Sequence, residues 1–200
     1  PMRHVIIGSG PAGLSTGYFL TKRGYRPTVF ESMPEPGGML RWGIPAYRLP
    51  RDILEIEIDH IKAMGVDIQT HVTFGKDVTL DTLRNEGYKA VFLGTGAWSC
   101  VSLPIEGAEN HPRIIESLTF LRYSSLRKEV IGKRIIVVGG GNVAVDCART
   151  ALRLGVEEVN LVYRRSRNEM PARREEVKAA EDEGAILSYL SSPIRVHGDH

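Results

Sequence analysis

Residues 8–13 read Gly-Ser-Gly-Pro-Ala-Gly and directly follow the largely apolar run His4-Val5-Ile6-Ile7. Such a run is typical of a buried parallel strand, and residues 14–21 after the glycines carry apolar side chains at helical spacing. A turn at Gly24 and a second strand over residues 28–31 follow. Residues 4–31 are therefore predicted to form a strand, a tight turn, a helix and a second strand.

Glycines at these spacings have a physical use between a strand and a helix. The first allows a sharp turn, the second lets the backbone approach a pyrophosphate, and the third lets the helix pack closely on the strand. Glu31 closes the second strand, where a carboxylate accepts hydrogen bonds from ribose hydroxyls. The pattern predicts a dinucleotide site. The alternatives are a glycine-rich turn without a ligand and a Glu31 that is merely solvated.

The same pattern returns in the second half of the chain. Residues 134–138 read Arg-Ile-Ile-Val-Val, which predicts a strand, and residues 139–144 have the Gly-x-Gly-x-x-Ala form. A helix over residues 143–154 and a second strand over residues 160–163 complete the repeat. A repeat of this length suits two tandem domains rather than a solenoid.

Arg164 and Arg165 stand at the end of this second strand, where the first site carries Glu31. A carboxylate would repel a 2′-phosphate, whereas guanidinium groups bind it through charge-assisted hydrogen bonds. The second site is therefore predicted to prefer NADP(H) to NAD(H). The alternatives are that these arginines belong to a solvated basic face or, less favoured, to a nucleic-acid patch.

The remaining segments predict further elements around the two motifs. Residues 34–50 contain many prolines and glycines, which predicts a shaped loop without regular structure. Further strands are predicted over residues 66–74 and 90–93, and helices over residues 51–64, 80–85 and 114–127. The helix over residues 51–64 is amphipathic, with Leu54, Ile58 and Ile61 at the spacing of a core-facing stripe.

The composition excludes several classes of site. A formal net charge of +2 over 200 residues leaves no basic tail, so no nucleic-acid partner is expected. Cys100 and Cys147 are too few for a disulfide framework, a four-cysteine zinc site or a Cys-x-x-Cys pair beside a flavin. The six histidines lack metal-ligand spacing, so no metal site is predicted. No apolar run is long enough for a bilayer helix, and we expect a cytoplasmic protein without membrane contact.

Three further stretches, together with the two glycine motifs, give the chain its resemblance to a known family. They are Gly37-Gly38-Met39-Leu40-Arg41-Trp42-Gly43-Ile44-Pro45 followed by Arg48-Leu49-Pro50, Gly94-Thr95-Gly96-Ala97, and Leu103-Pro104-Ile105-Glu106-Gly107. With them the chain resembles the small, beta-subunit-like flavoproteins of glutamate synthase. That group is similar to the N-terminal half of dihydropyrimidine dehydrogenase and to the NADPH-binding subunit of electron-bifurcating ferredoxin:NADP oxidoreductases. More distantly the chain resembles adrenodoxin reductase.

The resemblance implies that FAD binds in the first domain and NADPH in the second. It gives to FAD the residues Gly8, Gly10, Pro11, Ala12, Gly13 and Glu31, with Gly38, Leu40, Gly43 and Ile44 near the ring system, the backbone of Val72 at the adenine, and Thr95, Gly96 and Ala97 as a second contact. It gives to NADPH the residues Asn142, Val143, Arg164, Arg165 and Glu176, to which the glycine motif adds Gly139, Gly141 and Ala144. Such relatives often begin with a cysteine-rich iron–sulfur domain and end with a Gly-Asp segment that returns to the flavin. Because neither is found here, we expect a fragment.

We therefore expect an α/β protein with two tandem Rossmann-like dinucleotide-binding domains and with its C-terminal part missing. An FAD-binding domain is expected over residues 1–100, a linker over 101–112 and an NADP(H)-binding domain over 113–200. The expected activity is hydride transfer between NADP(H) and FAD, with an iron–sulfur or other redox domain or subunit as electron acceptor. Hydride transfer depends on positioning the two rings, so no catalytic side chain is predicted. The alternative is a non-catalytic nucleotide-binding scaffold or regulatory subunit of a redox complex.

Overall fold

The computed structural model describes residues 3–101, 103–126 and 132–198. The chain divides into two compact units, Pro1–Ala97 and Trp98–His200, and each contains a parallel β-sheet. The α/β class and the tandem arrangement are those expected from the repeated glycine motif. Residues 1 and 200, the outer limits of the predicted domains, lie outside the described residues, as do residue 102 of the predicted linker and the predicted helix end at residue 127.

The first unit has four strands and four helices among its described residues. In chain order they are β1 (Arg3–Ile7), α1 (Pro11–Lys22), β2 (Thr28–Phe30), α2 (Met39–Trp42), α3 (Arg51–Ala63), β3 (Asp67–Gln69), α4 (Leu80–Asn85) and β4 (Tyr88–Leu93). The strands lie in the order β3-β2-β1-β4 and all pair in parallel. Strand β1 is thus central, as its apolar sequence predicts.

Both faces of β1 are covered, which explains its continuous run of apolar residues. Ile6 packs with Val29 and Val66 on one face of the sheet. Val5 and Ile7 pack in a separate cluster with residues of β2, α4 and β4. Burial on both faces fixes β1 and, with it, the glycine turn that follows.

The second unit repeats this architecture in a shorter form. Its described elements are α5 (Ser117–Ser125), β5 (Arg134–Val138), α6 (Asn142–Arg153), β6 (Glu158–Tyr163), a 3₁₀ turn (Arg167–Glu169), α7 (Arg174–Asp182) and β7 (Ile186–Tyr189). The strands lie in the order β5-β6-β7 and pair in parallel. One core cluster joins α6, α7 and β6 through apolar residues such as Ala148, Val177 and Leu161. In the described part of the chain, no helix is long and apolar enough to cross a membrane.

Candidate dinucleotide sites

The turn between β1 and α1 requires glycine at two positions for reasons of fold alone. Gly8 has a φ of +97°, and a Cβ built on it would lie 2.5 Å from Gly94 O. A Cβ on Gly13 would lie 1.9 Å from Gly8 O, because α1 crosses close to the end of β1. A larger residue at Gly8 would clash with the chain after β4, and one at Gly13 would force β1 and α1 apart.

Gly10 and Gly141 differ, because the fold leaves room for a side chain at both positions. They precede α1 and α6, and their φ angles of −70° and −87° suit any residue. A Cβ on Gly10 would meet Gly38 Cα at 3.9 Å, an ordinary contact. A Cβ on Gly141 would meet no described atom within 4 Å beyond its chain neighbours. In both units the free N–H groups of a helix therefore adjoin a position where the fold leaves room for a methyl group, and such helix N-termini favour anions such as phosphate.

The first site lies where the strand order of its sheet reverses. Strand β1 pairs with β2 on one side and with β4 on the other, and open α/β sheets bind ligands outside the carboxyl ends of such strands. Gly94 N–H donates to Ile7 O at 2.8 Å, and the Cβ position of Gly8 lies 3.4 Å from Thr95 Cα. The structure thus brings Thr95, the first residue of the predicted stretch 95–97, to the first glycine turn.

The segment over residues 34–50 closes on the same turn. Gly37 N–H donates to Ser9 O at 3.1 Å, and a Cβ on Gly38 would lie only 2.6 Å from Gly10 Cα. Residues 39–42 form α2, a short helix inside a stretch that was predicted to be irregular. Gly43, Leu40 and Ile44, predicted near the flavin ring, lie within or directly after this helix. The helix forms because the Gly37–Gly38 turn is followed by four residues without a breaker.

Two arginines hold this segment in place, and neither was predicted as a site residue. Arg41 is only 4% exposed; its Nε donates to Pro36 O at 2.6 Å and its other nitrogens pair with Glu35 and Glu55. Arg51 donates to the carbonyl oxygens of residues 40, 44 and 49 at 2.8 to 3.3 Å. Burial lowers the pKa of Arg51, and the nearby charge of Arg41 lowers it further. The segment is therefore fixed through its backbone carbonyls.

Glu31 occupies the predicted position after β2 and is 5% exposed. Its Oε2 accepts hydrogen bonds from the N–H of Ser9 at 2.9 Å and from the Ser9 hydroxyl. Its Oε1 accepts from Met33 N–H at 2.8 Å and from the exposed Ser32 hydroxyl at 3.3 Å. A carboxylate offers about four acceptor positions, so the longest bond, to Ser32, marks the position that a ribose hydroxyl would take most easily.

We expect Glu31→Ala to reduce FAD retention about tenfold or more and to leave affinity for NADP(H) nearly unchanged, since the carboxylate lies in the first unit alone. The flavin-to-protein absorbance ratio of the purified full-length protein and titration calorimetry with NADP⁺ measure the two effects. Glu57→Ala, which removes an exposed carboxylate from α3, is the control. Equal loss of both cofactors would contradict the assignment of Glu31 to the first site.

The other predicted residues of the first site lie around the same turn. Pro11 is the first residue of α1, and Pro11 and Ala12 are both exposed. A proline is well suited to this position because the first N–H groups of a helix have no partner within it. Val72 N–H donates to Glu31 O at 2.9 Å, so the predicted backbone contact of Val72 with an adenine amino group would have to use its carbonyl oxygen.

The second glycine turn is bonded to its neighbouring strand in the same register as the first. Gly8 N–H donates to the carbonyl of the residue before Glu31 at 2.8 Å, and Gly139 N–H donates to the carbonyl of the residue before Tyr163 at 3.0 Å. The structural counterpart of Glu31 is therefore Tyr163, and Arg164 follows one residue later. The repeated pattern within the chain predicts the arginines at the position of Glu31, whereas the structure has Tyr163 there. The difference arises because a pattern alone does not fix strand register.

Tyr163 explains the middle glycine of the second motif, which was not among the predicted site residues. A Cβ on Gly140 would lie 2.5 Å from the Tyr163 ring, so the ring packs directly against this glycine. Tyr163 Oη donates to Glu169 O at 2.9 Å, and Ala172 N–H donates to Gly140 O at 3.0 Å. Where the first site has a buried carboxylate, the second has an aromatic ring without charge.

The start of α6 is tied to the start of α7. Asn142 Oδ1 accepts a hydrogen bond from Arg173 N–H at 3.1 Å, which brings the two helix N-termini together. Ala144 takes the place of the third glycine, and a Cβ on Gly139 would lie 3.2 Å from Ala144 Cβ. Val143 is 42% exposed in the first turn of α6. The predicted residues Gly139, Gly141, Asn142, Val143 and Ala144 thus lie together at the carboxyl end of β5, with Ala144 buried.

Arg164 and Arg165 are exposed directly after β6, at the same edge of the sheet as the glycine turn. Hydrogen bonds from the Ser166 hydroxyl and N–H lower the pKa of Glu169, and Arg165 lowers it further by attraction. The guanidinium of Arg165 therefore lies close enough to the Glu169 carboxylate to attract it.

Glu176, predicted as an NADPH residue, lies in the first turn of α7, where its carboxylate pairs with Arg149 of α6. Arg149 also pairs with Glu183 at 2.7 Å. These contacts pack α6 on α7. Whether Glu176 also touches a nicotinamide cofactor stays a prediction.

Groups suited to other chemistry are few in the described residues. The described residues include no cluster of three or more His, Cys, Asp or Glu side chains that could hold a metal ion. Cys147 is buried in α6, and burial raises the pKa of its thiol to about 12, with Asp146 and Cys100 adding to the effect. That thiol is protonated at neutral pH.

Comparison with known protein families gives a match over most of the chain. The family model described as pyridine nucleotide-disulphide oxidoreductase matches residues 2–185. Among solved structures, FprA from Mycobacterium tuberculosis in complex with NADPH has a TM-score of 0.79 at 21% identity, covering 99% of this chain and 61% of that one. Thioredoxin reductase from Lactococcus lactis has a TM-score of 0.70 at 21% identity, covering 100% of this chain and 68% of that one. These likenesses concern the fold.

Three curated relatives share much more sequence. The chain is 52% identical over 191 residues to NADP(+)-dependent formate dehydrogenase subunit beta of Moorella thermoacetica, covering 94% of this chain and 27% of that protein. It is 44% identical to NADPH-Fe(3+) oxidoreductase subunit beta of Geobacter sulfurreducens, covering 96% and 29%. It is 36% identical to the glutamate synthase [NADPH] small chain of Escherichia coli, covering 96% and 43%. The chain therefore spans less than half the length of each.

Proposed function

The chain belongs to the pyridine nucleotide-disulphide oxidoreductase family, and from this we propose that its first unit binds FAD, its second binds NADP(H), and a hydride passes between them. The observation that carries the proposal is the space beside Gly10 and Gly141. The fold accepts a side chain at both positions, so the absence of one is explained by a ligand that approaches the backbone there.

The charges beside the two turns support the choice of cofactor for each. The buried carboxylate of Glu31 suits ribose hydroxyls and repels a 2′-phosphate. In the second unit its counterpart is the uncharged ring of Tyr163, followed by the exposed Arg164 and Arg165. This exchange favours a dinucleotide with a 2′-phosphate in the second unit only.

This chain contributes to the reaction by positioning the reacting rings and by keeping water away from them. When bound, FAD supplies a ring that takes up a hydride from reduced nicotinamide. The segment over residues 34–50, held by Arg41 and Arg51, supplies a rigid wall beside the first turn. Because its carbonyl oxygens already accept hydrogen bonds, this wall needs little rearrangement when a ligand binds.

From the reduced FAD, the electrons pass to another redox centre. Two of the relatives are named as beta subunits, of a formate dehydrogenase and of an NADPH-Fe(3+) oxidoreductase, which supports a partner subunit or domain as acceptor. We assign an iron–sulfur or other redox centre to that partner, as the resemblance to the glutamate synthase small subunits implies. A reducing compartment such as the cytoplasm fits a chain whose two cysteines are both free.

Rapid mixing of the full-length protein with NADPH tests this function. We expect the flavin absorbance to bleach on mixing with NADPH, and much more slowly with the same concentration of NADH. A yellow protein that neither cofactor reduces would overturn the proposal. A colourless protein that still binds NADPH would instead favour the alternative, a nucleotide-binding scaffold or regulatory subunit.

A further inference from the structure

Leu190, the residue after β7, combines two features that are unfavourable for a leucine. Its φ is +53°, in the left-handed region that side chains with a Cβ avoid. Its side chain is 76% exposed, so burial in the fold does not compensate for the strained backbone. Glycine or asparagine would satisfy this backbone better, and strained residues of this kind are concentrated at binding sites.

The position of Leu190 relates it to the second dinucleotide site. Its N–H donates to Arg165 O at 3.1 Å, and the N–H of the next residue, Ser191, donates to Tyr163 O at 3.2 Å. Leu190 therefore lies at the carboxyl edge of the β5-β6-β7 sheet, one hydrogen bond from an arginine predicted to hold the 2′-phosphate. Ligands of open α/β sheets bind at this edge.

The first unit has the same backbone feature at the equivalent position. His71 has a φ of +60°, its N–H donates to Met33 O, and Val72 N–H donates to Glu31 O at 2.9 Å. These bonds match those of Leu190 and Ser191 residue by residue. The left-handed turn thus belongs to the architecture of both units, whereas an exposed leucine at it is particular to the second.

We propose that Leu190 forms an apolar wall for the adenine ring of NADP(H), a contact that sets affinity for the adenosine half of the cofactor. This inference rests on the proposed function of the second unit. An adenine ring has apolar faces, and pockets for such rings combine apolar side chains with a few charged groups. Leu190 supplies the apolar side chain, and Arg164 and Arg165 supply the charge.

The test is the affinity of the full-length protein for 2′,5′-ADP, which carries the adenosine and the 2′-phosphate but no nicotinamide. We expect Leu190→Asn to weaken 2′,5′-ADP binding about five- to tenfold, because the apolar contact is lost. The melting temperature without ligand should not fall, since asparagine tolerates a positive φ. Ile194→Asn, at an 85% exposed residue of the same unit, should change neither quantity.

The outcomes separate this inference from the function on which it rests. If the wild-type protein binds 2′,5′-ADP and Leu190→Asn binds it equally well, Leu190 has no role at the adenine. If that variant keeps its affinity but loses association with a partner subunit, Leu190 is a protein contact and the inference is overturned. If the wild-type protein does not bind 2′,5′-ADP, the assignment of NADP(H) to the second unit fails first.

Discussion

Gly10→Ala is expected to leave the first unit folded and to lower its affinity for FAD about a hundredfold or more. The added methyl meets Gly38 Cα at an ordinary 3.9 Å, and the φ of −70° suits alanine. The substitution should therefore not destabilise the fold. The same methyl fills the space beside the start of α1, where a pyrophosphate must approach the free N–H groups. Flavin content and melting temperature of the full-length protein measure the two effects.

Two matched variants make this result specific. Gly141→Ala is the equivalent change in the second unit, and we expect it to retain FAD and to lose NADP(H). Gly13→Ala places a Cβ 1.9 Å from Gly8 O, and we expect it to destabilise the first unit by about 3 kcal/mol or more. Normal FAD content in Gly10→Ala would show that no ligand approaches the protein backbone at this turn.

Replacing Arg164 and Arg165 by alanine is expected to produce the second large effect. Each charge-assisted hydrogen bond lost to the 2′-phosphate should weaken NADPH binding by about 1 to 3 kcal/mol, while NADH binding changes little. Calorimetric titration with both cofactors measures the difference. Both side chains are exposed, so the variants should fold normally.

Arg113→Ala removes an exposed positive charge from the same unit and serves as the control for net charge. It should not change the preference between the two cofactors. If the arginine variants weakened the binding of NADPH and NADH equally, the arginines would contact a part of the molecule that both cofactors share, and not the 2′-phosphate. The NADP(H) preference would then need another explanation.

Local pattern was sufficient to predict the main elements of the fold. The apolar runs before each glycine motif are the strands β1 and β5, and the periodic stretches after them are α1 and α6. The strand predicted over residues 66–74 was too long, because β3 ends at Gln69 and His71 adopts a left-handed conformation. Periodicity carries no signal for a single residue with a positive φ.

The positions of the glycines at the two turns and of Glu31 after β2 were predictable because they depend on residue type and short spacing. The buried Arg41 was not, since its partner Glu55 lies on a different helix and a lone arginine in a loop reads as solvated. The contact between Gly140 and the Tyr163 ring was missed for the same reason. Such contacts depend on strand register and packing, which sequence spacing does not specify.

The resemblance to the glutamate synthase small subunit, which the motifs indicated, is confirmed by 36% identity over 203 residues. That identity alone assigns no cofactor to either unit of this chain. The space beside Gly10 and Gly141, and the exchange of a buried carboxylate for a tyrosine and two arginines, support FAD in the first unit and NADP(H) in the second.

A crystal structure of the full-length protein with FAD and NADP⁺ tests the central claim most directly. We expect the pyrophosphate of FAD against Gly10, with a ribose hydroxyl at Glu31, and the 2′-phosphate of NADP⁺ within hydrogen-bond distance of Arg164 or Arg165. Side chains filling either space, or both arginines directed away from the 2′-phosphate, would contradict the account.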